Sequence, residues 1–304
     1  MNHLDPVQAK ARAQARLRRG MYLLPSLFTA GNLALGYFSV TQTILAISRD
    51  AQSHLDLAAI ALLVAIPFDG LDGRIARMTN TTTDFGRELD SLADVITFGM
   101  APSLLAFVWG FYFLPDSINP QLRLHLIQAG AFICFLFLLS GASRLARFNI
   151  SHDPLPRNPG RPGRKYFVGM PIPAAAGLLA ASVHLCYGIP NPYWWIAISW
   201  LILVGLCGFL MVSTWRFWSA KEINFSRRHP FQLLVPLAIV AYVMVRYSNT
   251  ALFAAALVYM FSGIWARAAY GWSRRRRRPA TASPSGAPPA SNVESESLGP
   301  RFSG

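Results

Sequence analysis

Apolar residues fill long blocks of this chain, and short polar stretches separate the blocks. A helix needs about 20 mostly apolar residues to cross a hydrocarbon layer. Eight blocks qualify as candidates: about residues 22–48, 55–78, 89–114, 124–146, 167–187, 192–212, 230–247 and 251–270, the seventh being the shortest. The expected fold is therefore all-α, a polytopic membrane protein with about eight transmembrane helices. Residues 1–20 form a basic juxtamembrane arm ahead of a membrane domain over 21–272, and 273–304 form a basic, then disordered tail. Within the arm, AKARAQARLRR (9–19) predicts a helix lying along the membrane surface. The tail beyond Pro279 has almost no large apolar residue and predicts disorder. The N-terminus lacks the apolar core and small-residue cleavage pattern of a signal peptide.

Composition supports this reading. Of 304 residues, 53% are hydrophobic and 14% charged, and the mean hydropathy is +0.33. Soluble domains carry about 25% charged residues. Cys134, Cys186 and Cys207 lie in apolar stretches without metal-ligand spacing, and they predict buried small hydrophobes rather than a disulfide framework. The tryptophans Trp194, Trp195, Trp200, Trp215 and Trp218 fall near helix ends, where interfacial anchors belong.

The net charge of +14 would suit nucleic acid, but its placement suits a membrane face, and no nucleic-acid partner is expected. With an even number of spans and the N-terminus inside, 25 of the 28 Lys and Arg residues fall on the cytoplasmic side. Only Arg49, Arg123 and Arg246 fall outside. This bias is the usual mark of cytoplasmic loops. It predicts an inner-membrane protein with both termini inside. The run Arg274–Arg278 follows the last span and predicts attraction to anionic lipids.

Against this background, FDGLDGRIARMTNTTTDFGRELDSLADVITFGMAP (68–102) stands out, because it holds six of the 14 acidic residues. Asp69 and Asp72 are three apart and share a helix face. Gly73 and Ala76 nearby are small, and Arg77 follows one turn after Gly73. A polar break, TNTTTD, separates them from Gly86, Asp90 and Asp94, which are spaced by four on the next helix. Four carboxylates then converge at one depth on the cytoplasmic side. Unpaired, they would be costly near hydrocarbon, and like charges this close would force protonation. A divalent cation relieves both problems, and all-oxygen ligation suits Mg2+ or Mn2+. The small residues leave room for a bulky ligand, and Arg77 offers a phosphate a second positive partner. The aspartate pairs alone would also suit a cation transporter; the Gly and Arg positions argue against it. Asp84 and Glu88 are read as solvated.

The pattern Asp69-x2-Asp72-Gly73-x2-Ala76-Arg77-x8-Gly86-x3-Asp90-x3-Asp94 resembles the signature of the CDP-alcohol phosphatidyltransferases. That resemblance implies a polyhelical membrane enzyme that transfers a phosphatidyl group from a CDP-linked lipid to an alcohol and releases CMP. It implies Asp69, Asp72, Asp90 and Asp94 as ligands of two Mg2+ or Mn2+ ions, and Asp94 as the general base. Gly73 and Arg77 match positions that receive the CDP moiety, and Thr83 adds a hydroxyl in the polar loop. It also implies a homodimer. The stretches RGMYLLPSLFTAGNLALGYFSV (19–40), VITFGMAPS (95–103), SRLARFN (143–149) and YFVGMPIPAAAG (166–177) look like the phosphatidylserine synthase branch. Ser26 stands where family members often carry Asn, which leaves Thr29 and Asn32 as polar candidates at the same end. The acceptor implied is L-serine and the donor CDP-diacylglycerol; glycerol 3-phosphate, choline and inositol phosphate are the alternative acceptors. A serine carboxylate needs a cation, and Arg144 and Arg147 at the end of the fourth span are the candidates. His152, Asp153 and the Pro/Gly-rich run 154–163 read as a loop, either flexible or gating the entrance.

Overall fold

The computed structural model describes residues 6–79, 84–150, 166–191, 193–218 and 248–276, with side chains of all but 6–26, 72–79, 218, 271 and 273–276. The seventh candidate span, Thr83, the gating-loop reading of 152–163 and the tail beyond 276 lie outside the described residues.

Helix α1 runs from Pro6 to Ser48. The arm is therefore helical, and it continues into the first candidate span, residues 22–48, without a break. Ala, Gln, Lys, Arg and Leu in the arm are good helix formers, and Pro6 occupies the first turn, where its missing N–H costs nothing. Helix α2 spans Ala51–Thr79. Asp50 starts it by accepting hydrogen bonds from the Ser53 hydroxyl and from the backbone N–H groups of Ser53 and Gln52, which hold its carboxyl below the usual range.

A third helical rod covers residues 84–112. It comprises α3 (Asp84–Asp94), a π-helical segment (Val95–Met100), α4 (Ala101–Phe107) and a second π-helical segment (Val108–Tyr112). Helix α5 spans Pro120–Ile150, α6 Ile172–Leu185, α7 Trp194–Val212 and α8 Ser248–Arg276. Five described stretches are long and apolar enough to cross a membrane: Ala51–Leu71, Asp84–Tyr112, Pro120–Ile150, Trp194–Val212 and Ser248–Tyr270. They coincide with the second, third, fourth, sixth and eighth candidate spans.

The fifth candidate differs. Its first residues form a short strand, β1 (Tyr166–Val168), paired antiparallel with β2 (Arg216–Trp218). Pro171 and Pro173 start α6 late, and the helix is only 14 residues long. At 1.5 Å per residue that is about 21 Å, short of a hydrocarbon core of about 30 Å. The ribbon needs Gly169, whose φ of +74° disfavours a side chain and whose Cβ would sit 2.5 Å from the Met211 carbonyl. Apolar composition alone does not separate a short buried helix from a spanning one.

Helix α6 is buried along most of its length, from Ile172 through Ala175–His184. It packs against α2, α4, α7 and α8. At the end of α6, His184 Nδ1 meets Asp56 Oδ1 of α2 at 2.6 Å, and Nε2 meets Ser248 Oγ of α8 at 3.2 Å. Asn249 Nδ2 donates to the His184 carbonyl at 2.8 Å. This clamp joins three helices at the end of the molecule away from Asp69. Trp200, expected as an interfacial anchor, is a core residue instead. Its Nε1 donates to the Ala106 carbonyl at 3.0 Å and its ring meets Trp109 edge-on at 4.8 Å. Trp194 and Trp195 are exposed, as anchors are. Cys134 and Cys207 are buried as expected; Cys186, in the turn after α6, is exposed.

Candidate active site

The site forms where α1, α2 and the third rod meet. Asp69 lies on α2, two residues after Pro67. A proline inside a helix leaves the carbonyl four residues back without its intrahelical partner, which loosens the turn just before Asp69. Beside it, a Cβ built on Gly70 would meet nothing within 4 Å among the described residues, so there is space against the backbone. Asp90 and Asp94 are one turn apart on α3. Oxygens of Asp69, Asp90 and Asp94 lie within 4.8 Å of one another. Asp94 is only 8% exposed, and Asp90 Oδ1 is buried without a hydrogen-bond partner among the described residues.

A buried carboxylate oxygen without a donor is expensive unless a cation takes that place. The donor set is all oxygen, which fits a hard divalent ion. Asp72, Gly73 and Arg77 belong to the last turns of the same α2 helix, with their side chains outside the described residues. Asp84 and Glu88 are exposed, as expected, and Asp84 pairs with Arg87 at 2.6 Å.

Helix α1 supplies the wall. Asn32 is fully buried, and its Nδ2 donates to Asp94 Oδ1 at a long 3.4 Å. The Thr97 hydroxyl donates to the Asn32 carbonyl at 3.1 Å. This approach depends on Gly36: a Cβ there would lie 2.4 Å from Thr97 Oγ1 and 2.8 Å from its Cα. Thr97 sits in the π-helical segment that follows Asp94. Such segments interrupt α-helices and often accompany functional sites. Thr29, one turn before Asn32, is also buried. Neither Gly36 nor Thr97 was singled out from the sequence. The signal was the small residue at a contact between two apolar helices, but the partner of a glycine is not written in its own spacing.

The two arginines of α5 part ways. Arg147 is half-buried, and Nη1 donates to the carbonyl of Val212, the last residue of α7, at 3.1 Å. Arg144 is buried, and its Nε has no partner among the described residues.

Apolar helices of spanning length around three converging carboxylates, a group that could hold a metal ion, define a helical membrane protein. A model of the CDP-alcohol phosphatidyltransferase family matches residues 22–199, and the chain belongs to that family. A relative from Helicobacter pylori is 38% identical over 228 residues, covering 72% of this chain and 82% of the relative. One from Bacillus subtilis is 33% identical over 199 residues, 65% of this chain and 90% of the relative. One from Methanocaldococcus jannaschii is 39% identical over 152 residues, covering 50% and 59% respectively. All three are named CDP-diacylglycerol–serine O-phosphatidyltransferase. The family match ends inside α7, so β2 and α8 lie beyond it.

Proposed function

We propose that this protein transfers the phosphatidyl group of CDP-diacylglycerol to L-serine, giving phosphatidylserine and CMP. The observation that carries the reading is the convergence of Asp69, Asp90 and Asp94 beside Asn32, in a chain whose relatives bear that activity in their names.

The serine hydroxyl oxygen bonds to the phosphorus that bears the lipid. The bond from that phosphorus to the CMP oxygen breaks, and CMP leaves with the electron pair. Asp94 takes the hydroxyl proton, because a neutral alcohol is a poor nucleophile and needs a base within reach. Asn32 donates to Oδ1 of Asp94 and so orients the carboxylate. Asp69, Asp72, Asp90 and Asp94 would hold two Mg2+ or Mn2+ ions. When bound, such an ion offsets the charge of the diphosphate and of the departing CMP. Gly73, Arg77, Thr83, Thr29 and Asn32 bind the CDP-lipid, with Arg77 a further cation for phosphate.

Arg144 binds the serine carboxylate. Its burial and its unpartnered Nε favour it over Arg147, whose Nη1 is engaged with α7. The membrane domain of residues 21–272 lies in the inner membrane. Both termini and the site face the cytoplasm, and the basic arm and tail meet anionic lipids. The protein works as a homodimer.

The test is purified protein with CDP-diacylglycerol, Mg2+ or Mn2+, and a panel of serine, glycerol 3-phosphate, choline and inositol phosphate. CMP release with serine alone is expected. Release with another acceptor instead would reject serine, and none with any acceptor would reject transfer.

A further inference from the structure

The loop that joins the third rod to α5 borders a cavity of about 320 Å3. It lies at the end of the rod away from Asp90 and Asp94, between two stretches of spanning length, Asp84–Tyr112 and Pro120–Ile150. Asp116, Ile118, Pro120, Arg123, Leu124 and Ile127 line it. The loop is well seated. Leu114 is buried in the core, and Ile118 and Ile127 pack against that core. Asn119 Oδ1 caps α5 by accepting from the Gln121 N–H at 2.9 Å, and the Arg123 N–H donates to the Asn119 carbonyl at 2.9 Å. Arg123 therefore stands on a fixed turn. Its Nη1 meets Asp116 Oδ1 at 3.3 Å, and its Nε is buried without a partner among the described residues. A guanidinium carries five donors and no acceptor, so this one has capacity left for an anion.

We propose that this cavity binds the headgroup of a glycerophospholipid that carries both a phosphate and a primary ammonium. Arg123 offers the phosphate charge-assisted donors, and Asp116 offers the ammonium a carboxylate. The Asp116 side chain is 94% exposed, and an ion pair so exposed is worth little. The pair therefore opens easily to take a dipolar head between its halves. A head with phosphate alone would bring its charge against Asp116, and one with ammonium alone would bring it against Arg123. Size points the same way. Ligand sites run from about 300 to 1,000 Å3, so this cavity takes a headgroup and not two acyl chains. The chains leave across Leu124, which is exposed on the spanning helix, into the hydrocarbon beside α5. An arginine at a helix end, its stem among aliphatic side chains and its head at the water boundary, is suited to that depth. The site is separate from the aspartates and does not rest on the transfer reading.

The experiment uses purified full-length protein in mild detergent and a phosphatidylethanolamine with a diazirine near the top of one acyl chain. After irradiation, peptide mapping is expected to place the label within residues 113–127. Arg123→Gln is expected to cut that labelling about tenfold, the loss of a charge-assisted contact. Unlabelled phosphatidylethanolamine is expected to compete at least about tenfold better than phosphatidylglycerol, glycerophosphoethanolamine or inorganic phosphate. Asp116→Asn is expected to abolish the preference for phosphatidylethanolamine over phosphatidylglycerol. No label within 113–127, or label there unchanged by Arg123→Gln, overturns the site. Equal competition by phosphatidylglycerol overturns the ammonium, and equal competition by glycerophosphoethanolamine or inorganic phosphate overturns the lipid. If Arg123→Gln does not accumulate, Asp116→Asn decides, since its side chain is exposed: a lost preference supports the proposal and an unchanged one overturns it.

Discussion

Asp94 is the residue on which the chemistry converges. It is largely buried, faces two other carboxylates and receives a donor from a helix 62 residues earlier in the chain. Asp94→Asn keeps the shape and removes the base. Turnover is expected to fall by at least about 100-fold, the usual share of a general base, while the protein still inserts. A rate assay at saturating serine checks this, and near-normal turnover would remove Asp94 from the role. Asp90 has the buried oxygen without a donor. Asp90→Asn is expected to weaken Mn2+ binding by at least about tenfold, as the loss of a direct ligand should exceed the loss of an outer partner. Titration followed by electron paramagnetic resonance reads this without turnover. The aspartates were legible in the sequence because helical spacing of three and four places them on one face. Asn32 was legible only as a polar residue in an apolar block. Its bond to Asp94 follows from how α1 packs, which no spacing within α1 encodes.

At the scale of elements, close approach decides where the site stands. The contact of α1 with the π-helical segment leaves no room for a side chain at Gly36. Gly36→Val meets both the Thr97 hydroxyl and its Cα, and overpacking of this kind costs about 1–3 kcal/mol. A lower melting temperature in detergent and weaker transfer are expected together, since Asn32 moves away from Asp94. A variant with unchanged melting and full activity would show that the two helices can part freely. The clamp at the other end is expected to act on stability alone. His184→Ala removes contacts to Asp56 and Ser248, each worth about 1 kcal/mol in folded proteins. Melting should fall while the KM for serine and for CDP-diacylglycerol holds.

Long apolar helices were read directly, as α2, α5, α7 and α8 show. The ribbon and the shortness of α6 were not. Tyr166–Val168 and Arg216–Trp218 pair across about 50 residues, and a three-residue strand leaves too little alternation to detect before its partner is known.

For the whole molecule, the orientation has a direct probe in Cys186, exposed in the turn at the clamp end, while Cys134 and Cys207 are buried. A membrane-impermeant maleimide is expected to label Cys186 in right-side-out vesicles and to miss it in sealed inverted ones. The opposite pattern would turn the molecule over and put the aspartates outside. The ribbon has a consequence for how the chain is held together. The turn near Cys186–Tyr193 lies between the strands in sequence, while β1–β2, α5 on α7 and α6 on α8 all bridge its two sides. A protease site placed in that turn would divide the polypeptide into a piece carrying every assigned aspartate and a piece carrying α7, β2 and α8. After cleavage the two are expected to migrate as one particle in mild detergent and to keep making product. Cut in two, the protein would remain a single enzyme, and separation of the pieces would show that the peptide bond in that turn is what unites them.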